Sequence, residues 1–199
     1  MAAFRPEAPQ LSLFDAAPAL PEGMVYRRDL LTPEGQAELV ARIGELTFKP
    51  FEFRGYEAAR RVAYFGWSYD YDARRIKAAT PIPDFLLPLR EAAARFAGVE
   101  AEALRQILIN HYAPGAGVGW HRDRPAFGDV VGVSLGSPAL FRFRRANGEG
   151  WERRRLMLEP GSVYLLRGPA RDAWEHSVPP VEAPRYSVTF RTLRDAAAG

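Results

Sequence analysis

The sequence contains no cysteine, and this absence excludes disulfide bonds, thiolate zinc sites and cysteine nucleophiles. A chain without disulfides agrees with a reducing compartment, and we expect a cytoplasmic protein. No apolar run approaches the length of a membrane span. The N-terminus also lacks the basic-then-apolar pattern of a secretory signal. We therefore expect no association with a membrane.

Neither sign of charge is in large excess, since 27 basic residues stand against 24 acidic ones and the net charge is +3. This mildly basic balance is compatible with a nucleic-acid partner, although many proteins without such a partner are as basic. The 199 residues, 47% of them hydrophobic, are enough for one domain with a sizeable core. Alanine and proline are frequent in residues 1–22, which we interpret as a flexible arm before a folded domain of residues 23–199. We expect a monomer.

Two helices are predicted in the first half of the chain. Thr32 can cap a helix that begins at Pro33, and apolar residues recur at helical spacing as far as Leu46. A second helix should span about 84–96 and end at Gly98.

The rest of the chain has the character of short β-strands. Residues 48–53 look extended, and the aromatic stretch 60–71 is typical of a strand and a loop. From Gln106 onward, proline and glycine separate a series of short β-like runs, namely 106–112, 130–135, 139–145, 151–158, 162–167 and 184–193. Many short strands at this spacing favour a sandwich or a jelly roll.

Histidine is scarce, yet two of the three histidines belong to a spaced set of metal-ligand residues. His121 and Asp123 lie two positions apart, so a strand would place both on one side, and His176 follows later in the chain. Two histidines and one carboxylate are the ligand set that leaves three adjacent coordination positions of Fe(II) open. A His-x-Asp triplet often arises by chance, and a single histidine is more often structural. The order, the spacing and the β context together favour an iron-dependent oxygenase.

Strand alternation predicts a second cluster of polar side chains. In the run 106–112, Asn110 and Tyr112 share a face, whereas His111 points away and is interpreted as structural. The last run has a polar face of Arg185, Ser187, Thr189 and Arg191 and an apolar face of Tyr186, Val188 and Phe190 that would pack into the core. Two arginines on one strand face suit a small dicarboxylate, because guanidinium pairs with carboxylate through two hydrogen bonds. The alternative is a pair of solvated arginines.

These residues lie in motifs that resemble the AlkB-like Fe(II)/2-oxoglutarate-dependent dioxygenase family. The motifs are Asn110-His111-Tyr112-Ala113-Pro114-Gly115, His121-Arg122-Asp123, Gly168-Pro169-Ala170-Arg171 leading to His176, and Arg185-Tyr186-Ser187-Val188-Thr189-Phe190-Arg191. The resemblance covers residues 106–193 closely and 60–71 less closely. It implies a mainly β fold with flanking helices, a double-stranded β-helix (jelly roll) in which N-terminal helices pack on one sheet.

The resemblance also implies a role for each of these side chains. Iron would be bound by His121, Asp123 and His176, and 2-oxoglutarate would be held by Asn110, Tyr112, Arg185 and Arg191. Some relatives have an asparagine at the position of Ser187 that also touches the cosubstrate. Decarboxylation of 2-oxoglutarate with O2 would drive hydroxylation of a nearby C–H bond, and a hydroxylated N-methyl group would leave as formaldehyde. No catalytic residue beyond the metal ligands is expected, because the chemistry belongs to the metal and the cosubstrate.

Two features favour nucleic acid as the substrate, with repair of alkylated DNA as the expected role. A turn at 147–148 would join two strands into a hairpin that carries Arg142, Arg144, Arg145, Arg153, Arg154 and Arg155. This hairpin is either a phosphate-binding ridge, with Arg155 in contact with substrate, or a solvated edge protected by charge. Trp67, Tyr69 and Tyr71 fall where the substrate lid of the family lies, and they would stack on an extruded base or else pack in the core.

The N-terminal arm contains Gln10-Leu11-Ser12-Leu13-Phe14, which resembles the pentapeptide by which bacterial repair and replication proteins dock on the sliding clamp. A short exposed segment with apolar anchors suits such docking. The alternative is a segment that packs Leu13 and Phe14 on the surface of the domain.

One departure from the family pattern concerns the choice of substrate. Base-repair members have an acidic residue two positions after the iron-binding aspartate, where this chain has Pro125. Residues 124–127 and 65–67 look more like members that act on RNA, including transfer RNA. The alternatives to DNA repair are therefore an RNA- or protein-directed hydroxylase or demethylase of the same fold, and a nucleic-acid- or clamp-binding module without turnover.

Overall fold

Antiparallel strands are the main secondary structure of the computed structural model, which describes residues 19–53, 56–70 and 75–194. The strands are β1 (Met24–Arg27), β2 (Lys49–Phe53), β3 (Tyr56–Phe65), β4 (Trp67–Asp70), β5 (Arg75–Ala78), β6 (Gln106–Tyr112), β7 (Val118–His121), β8 (Phe127–Gly136), β9 (Ala139–Asn147), β10 (Gly150–Leu158), β11 (Val163–Leu166), β12 (Glu175–Val178) and β13 (Arg185–Leu193). The helices are α1 (Pro33–Gly44), α2 (Leu87–Ala97) and α3 (Pro169–Asp172), and short 3-10 turns lie at Asp84–Leu86 and Ala101–Ala103.

The described strands form a seven-stranded sheet, a four-stranded sheet and a small hairpin. The larger sheet has the order β1-β11-β8-β13-β6-β3-β2, the smaller sheet has the order β10-β9-β12-β7, and β4 pairs with β5. The last strand, β13, lies at the centre of the larger sheet between β6 and β8. The C-terminal motif therefore pairs directly with the strand that carries Asn110 and Tyr112.

The two predicted helices cover one face of the larger sheet. The hydroxyl of Thr32 accepts a hydrogen bond from the Gly35 amide at 3.2 Å, which caps α1 as expected. Gly98 ends α2 in the left-handed conformation, with φ of 65°, which glycine adopts without steric cost. Leu39 and Ile43 of α1 belong to one buried cluster with Val188 and Phe190 of β13. The prediction of N-terminal helices packed on one sheet is confirmed.

A second buried cluster lies between the two sheets. Phe141, Phe143 and Leu158 come from the smaller sheet, and Val130 and Leu166 come from the larger one. Because apolar residues cover both faces of β8, this strand is buried along most of its length. The result is the double-stranded β-helix that the sequence predicted, and its polar cavities open between the sheets.

The six predicted β-runs after Gln106 are all strands in the structure. Short β1, β5, β7 and β12 were missed, because four residues are too few to establish a period. Of the predicted arm, residues 1–18 lie outside the described part of the chain. The remaining residues contact the domain: Leu20 packs against the inter-sheet cluster, and the Glu22 carbonyl accepts a hydrogen bond from the Ala170 amide. Within residues 19–53, 56–70 and 75–194, the helices are too short or too polar to cross a membrane.

Candidate active site

Two of the predicted metal ligands lie on neighbouring strands of the smaller sheet. His121 ends β7 and His176 lies in β12, and the two residues are paired directly across the ladder. The centroids of their imidazole rings are 4.3 Å apart. Asp123 follows β7 by two residues, and its Oδ2 lies 3.6 Å from Nε2 of His176. The three side chains that the sequence selected are therefore brought together.

The carboxylate of Asp123 is held on one side and left open on the other. Its Oδ1 accepts hydrogen bonds from Nη2 and Nε of Arg191, at 2.7 and 3.0 Å. Its Oδ2 is buried and accepts no hydrogen bond from any residue that the structure describes. A buried carboxylate oxygen without a donor is costly unless a further positive group binds it.

The two histidines are poised as neutral donors. Nδ1 of His121 lies 2.9 Å from the Gly119 carbonyl, so this nitrogen carries the proton and Nε2 keeps its lone pair. Burial, aided by the nearby His121, lowers the pKa of His176 to about 3. Burial also lowers the pKa of His121. Both rings are consequently neutral at physiological pH, the form that binds metal ions.

The charge state of Asp123 follows from a balance of opposing effects. Burial raises the pKa of its carboxyl group, but Arg191, His176 and His121 outweigh burial and hold that pKa well below its usual range. Among the described residues, no three imidazole and carboxylate groups already have the close arrangement of a complete metal site. The assignment of a metal to this place therefore rests on the chemistry of its donors, which are two neutral imidazoles and an ionised carboxylate.

A small cavity of about 70 Å³ adjoins these side chains inside the roll. The residues that line it include the three candidate ligands and the polar faces of β6 and β13, namely Asn110, Tyr112, Arg185, Ser187, Thr189 and Arg191. His111 points the other way, with its ring stacked on Tyr186 at 4.7 Å. The alternation predicted for both strands is confirmed.

Arg185 is the most deeply buried cation of this cavity, with only 2% of its surface exposed. One nitrogen, Nη2, donates to the Ser134 hydroxyl at 3.2 Å, and the guanidinium lies 4.9 Å from the centroid of the Tyr112 ring. The Nε and Nη1 donors find no hydrogen-bond acceptor in the described part of the chain. These open N–H groups leave the buried guanidinium able to donate to an anion such as a carboxylate.

The amide of Asn110 lines the same cavity and is held by two hydrogen bonds. Its Nδ2 donates to the Ser187 hydroxyl at 3.2 Å, and its Oδ1 accepts from Nε of Arg60 at 3.2 Å. Ser187, which replaces the asparagine of some relatives, thus orients Asn110.

A larger cavity of about 430 Å³ opens outside the first. Both cavities are lined by His121, Asp123 and Arg191, so they meet at the candidate metal ligands. The larger cavity has aromatic walls, formed by Phe51, Tyr64, Tyr69, Trp120 and Phe127, and a cationic margin, formed by Arg122 and Arg124. Arg60 lines both cavities.

The residues predicted to bind substrate are not all at this cavity. Tyr69 lines it, as expected. Trp67 lies beneath the guanidinium of Arg105, 4.7 Å from its ring centroid, and is not among the described lining residues. Arg155 is exposed on β10, opposite Arg142 and away from the lining. Tyr71 lies outside the described residues.

Comparison with known proteins places this arrangement in a family. The sequence model of the 2OG-Fe(II) oxygenase superfamily matches residues 23–192, which is most of the chain. The chain belongs to this superfamily. The AlkB-like oxygenase fold is also evident in a solved structure, that of OsALKBH1, with a TM-score of 0.66 and 20% identity over 85% of this chain and 96% of that one.

Two curated relatives support the AlkB-like assignment. The alpha-ketoglutarate-dependent dioxygenase AlkB of Escherichia coli (strain K12) is 32% identical over 67% of this chain and 70% of that protein. The "Alkylated DNA repair protein ALKBH8 homolog" of Arabidopsis thaliana is 28% identical over 85% of this chain. This chain spans 54% of the length of the Arabidopsis protein.

An AlkB-like oxygenase uses Fe(II), 2-oxoglutarate and O2, and the site fits these groups. The open Oδ2 of Asp123 and the neutral imidazoles suit a divalent cation. The open donors of Arg185 suit a carboxylate. The expectation of an enzyme is confirmed, and the alternative of a module without turnover loses its support.

Two residues of this AlkB-like site, Tyr164 and Gly132, were not predicted from the sequence, and Arg171 was named in a motif but given no role. Tyr164 of β11 lines the inner cavity, and burial raises the pKa of its hydroxyl. Gly132 makes room for it, since a Cβ there would lie 2.2 Å from the Tyr164 ring. Buried Arg171 donates to the carbonyls of Arg124, Phe127 and Gly128 and so braces the segment after Asp123. A glycine inside an apolar strand was the one available signal for a close approach.

Proposed function

We propose that this AlkB-like oxygenase removes alkyl groups from bases in nucleic acid. Bound Fe(II), with 2-oxoglutarate and O2, supplies the oxidation of a C–H bond. The protein contributes binding, orientation and exclusion of water. The larger cavity carries the proposal, because it joins an aromatic wall and a cationic margin to the candidate metal ligands.

His121, Asp123 and His176 would hold the iron. Burial keeps both imidazoles neutral, and Arg191 keeps Asp123 ionised while leaving Oδ2 open. Because Arg191 binds only Oδ1, it fixes the carboxylate without competing for the second oxygen.

The inner cavity would hold 2-oxoglutarate. Arg185 would pair with a carboxylate of the cosubstrate, because its buried guanidinium has N–H donors that no described residue accepts from. Asn110 and Tyr112 would contact the rest of the molecule from β6, and Arg191 from β13. A cosubstrate bound there would displace water from the space beside the candidate metal ligands.

A base would enter the larger cavity. Stacking of bases on aromatic side chains is tolerant of sequence, and Tyr64, Tyr69 and Trp120 offer such surfaces. Arg122, an exposed residue of the lining, suits a phosphate beside the base. A base in a duplex would have to be extruded before its alkyl group reached the iron.

RNA is a second candidate substrate, and Pro125 favours it. The position two residues after Asp123 has no carboxylate in this chain, although an acidic residue is typical there of base-repair members. Docking on a sliding clamp through residues 10–14 would favour DNA instead. Pro125 and the docking hypothesis favour different nucleic acids, and an assay with both DNA and RNA distinguishes between them.

The test is a matched panel of DNA and RNA oligonucleotides, single-stranded and duplex, each with one N-methylated base. We expect loss of the methyl group, read by mass spectrometry, with succinate formed in step. Reactions without Fe(II) or without 2-oxoglutarate are the controls. Succinate formation on some other methylated polymer, with no methyl loss from any oligonucleotide, would contradict the proposal.

A further inference from the structure

The face of the smaller sheet that points away from the core carries a lattice of arginine and tryptophan side chains. We call it the outer face and define it by Trp120 of β7, Arg142 and Arg144 of β9, and Trp151, Arg153 and Arg155 of β10. The opposite face of β9 carries Phe141 and Phe143, which are buried between the sheets. Strand alternation therefore places the arginines on the solvent side.

Four arginines of the outer face stand in two rows across the strands. Arg144 pairs with Arg153, and Arg142 pairs with Arg155. The rows continue onto β12, where Glu175 lies opposite Arg144 and Ser177 lies opposite Arg142. Glu175 is the single carboxylate of the two described rows and forms an ion pair with Arg144 at 2.6 Å, so each row still carries a net positive charge. Like charges directly across a ladder cost free energy, and an anionic partner removes that cost.

Two tryptophans lie among these cations. The guanidinium carbon of Arg144 is 4.6 Å from the Trp120 ring centroid and 4.3 Å from that of Trp151. Arg142 lies 5.0 Å from the Trp120 ring centroid. Trp151 is 44% exposed, which is high for an indole. The sheet thus offers exposed aromatic surface between guanidinium groups.

The other two arginines of the hairpin are committed elsewhere. Arg145 and Arg154 both bind Glu152, at 2.6 and 2.5 Å, and both lie over the buried Trp174. The ridge of six arginines that the sequence predicted is therefore reduced to four on the outer face.

The outer face is continuous with the larger cavity. Trp120 belongs to both, since it contacts Arg142 and Arg144 and also lines the cavity. It directly precedes the candidate ligand His121. From β7 to β10 there are three inter-strand steps, a span of about 14 Å.

We propose that the outer face binds a single strand of nucleic acid and guides it from Trp151, over Trp120, into the larger cavity. The inference rests on the proposed function and adds to it a docking surface and a strand state. Arginines would contact the phosphates, and the tryptophans would stack on bases. A single strand is specified because a duplex hides the faces of its bases, on which indoles stack.

The experiment measures binding of an unmethylated single-stranded oligonucleotide at a series of salt concentrations, without iron. Each phosphate contact on a single strand contributes about 0.7 to the slope of log K against log salt. Arg153→Gln with Arg155→Gln should therefore reduce that slope by about 1.4. Arg153→Lys with Arg155→Lys keeps both charges and should restore it. Trp151→Ala should weaken binding by roughly fivefold or more through lost stacking.

The matched control is Arg42→Gln with Arg95→Gln, which removes the same charge from α1 and α2. Both side chains are exposed, their surface ion pairs are long, at 3.8 and 3.9 Å, and Arg42 also lies 5.1 Å from the centroid of the Phe85 ring. This pair of changes should leave the slope nearly unaltered. If the control and test variants lost the same amount of salt slope, the effect would depend only on net charge, and the proposal would be overturned.

The results distinguish a failure of this inference from a failure of the proposed function. Methyl loss from an oligonucleotide, with an unchanged salt slope in the Arg153 and Arg155 variants, would overturn only the proposed binding of nucleic acid to the outer face. Tighter binding of a duplex than of a single strand would overturn the proposal that the outer face binds single-stranded nucleic acid. Failure of the unaltered chain to bind or to demethylate any oligonucleotide would remove both proposals.

Discussion

Replacement of Arg191 by methionine should destabilise the metal-free protein by about 3–5 kcal/mol, the usual cost of leaving one member of a buried ion pair without the other. Arg191 is 7% exposed and donates two hydrogen bonds to Oδ1 of Asp123. Its Nη1 also donates to Oε1 of Gln106 at 3.0 Å. Methionine keeps much of the side-chain stem, so the change removes charge and hydrogen bonds more than volume.

The assay is urea unfolding in the presence of a chelator, followed by tryptophan fluorescence. The double variant Arg191→Met with Asp123→Asn should regain most of the lost free energy of unfolding, because a neutral amide needs no counter-ion. Arg90→Met is the control, since Nε of Arg90 donates to the Leu104 carbonyl at 3.0 Å. Asp123→Asn should not relieve the loss caused by Arg90→Met.

The reasoning fails if Arg191→Met costs less than about 1 kcal/mol, well below the range for a broken buried pair. It also fails if Asp123→Asn leaves the cost of Arg191→Met unchanged. In either case Asp123 would not depend on Arg191, and its low pKa would need another cause.

Two further changes test other parts of the molecule. The folded-state pKa of His176 is about 3 and its ordinary value is 6.5, so the unfolded chain takes up a proton first as the pH falls. This histidine should lower the free energy of unfolding of the metal-free protein by about 2 kcal/mol between pH 7.5 and pH 5, measured by urea unfolding, and His176→Asn should reduce that dependence. Leu13→Ala with Phe14→Ala should weaken binding to a bacterial sliding clamp, measured by surface plasmon resonance, and spare methyl removal from a free oligonucleotide. Unchanged clamp binding would refute the docking hypothesis.

Sequence periodicity was sufficient to predict which side chains share a face of the long strands. Alternation along β6 and β13 put Asn110, Tyr112, Arg185 and Arg191 on one side and His111 on the other, as the structure has them. A period of two needs several residues to be seen, and these strands have seven and nine.

The pairing of the short strands could not be predicted from the sequence. β7 and β12 have four residues each, yet their register sets His121 opposite His176. Long-range register depends on packing, so the sequence grouped these histidines by their order, their spacing and the resemblance to a family, and not by periodicity. The hairpin of β9 and β10 was predicted from its turn, but the pairing of Arg142 with Arg155 and of Arg144 with Arg153 required the register.

The most direct test of the central claim compares the histidines of the chain in one assay. Succinate formation from 2-oxoglutarate, with Fe(II) and O2 supplied, would be measured for the unaltered chain, His121→Ala and His111→Ala. The site described above predicts turnover by the unaltered chain and by His111→Ala, whose ring stacks on Tyr186 outside the cavity, and none by His121→Ala, with all three proteins folded. Full turnover by His121→Ala would contradict the assignment of the metal ligands.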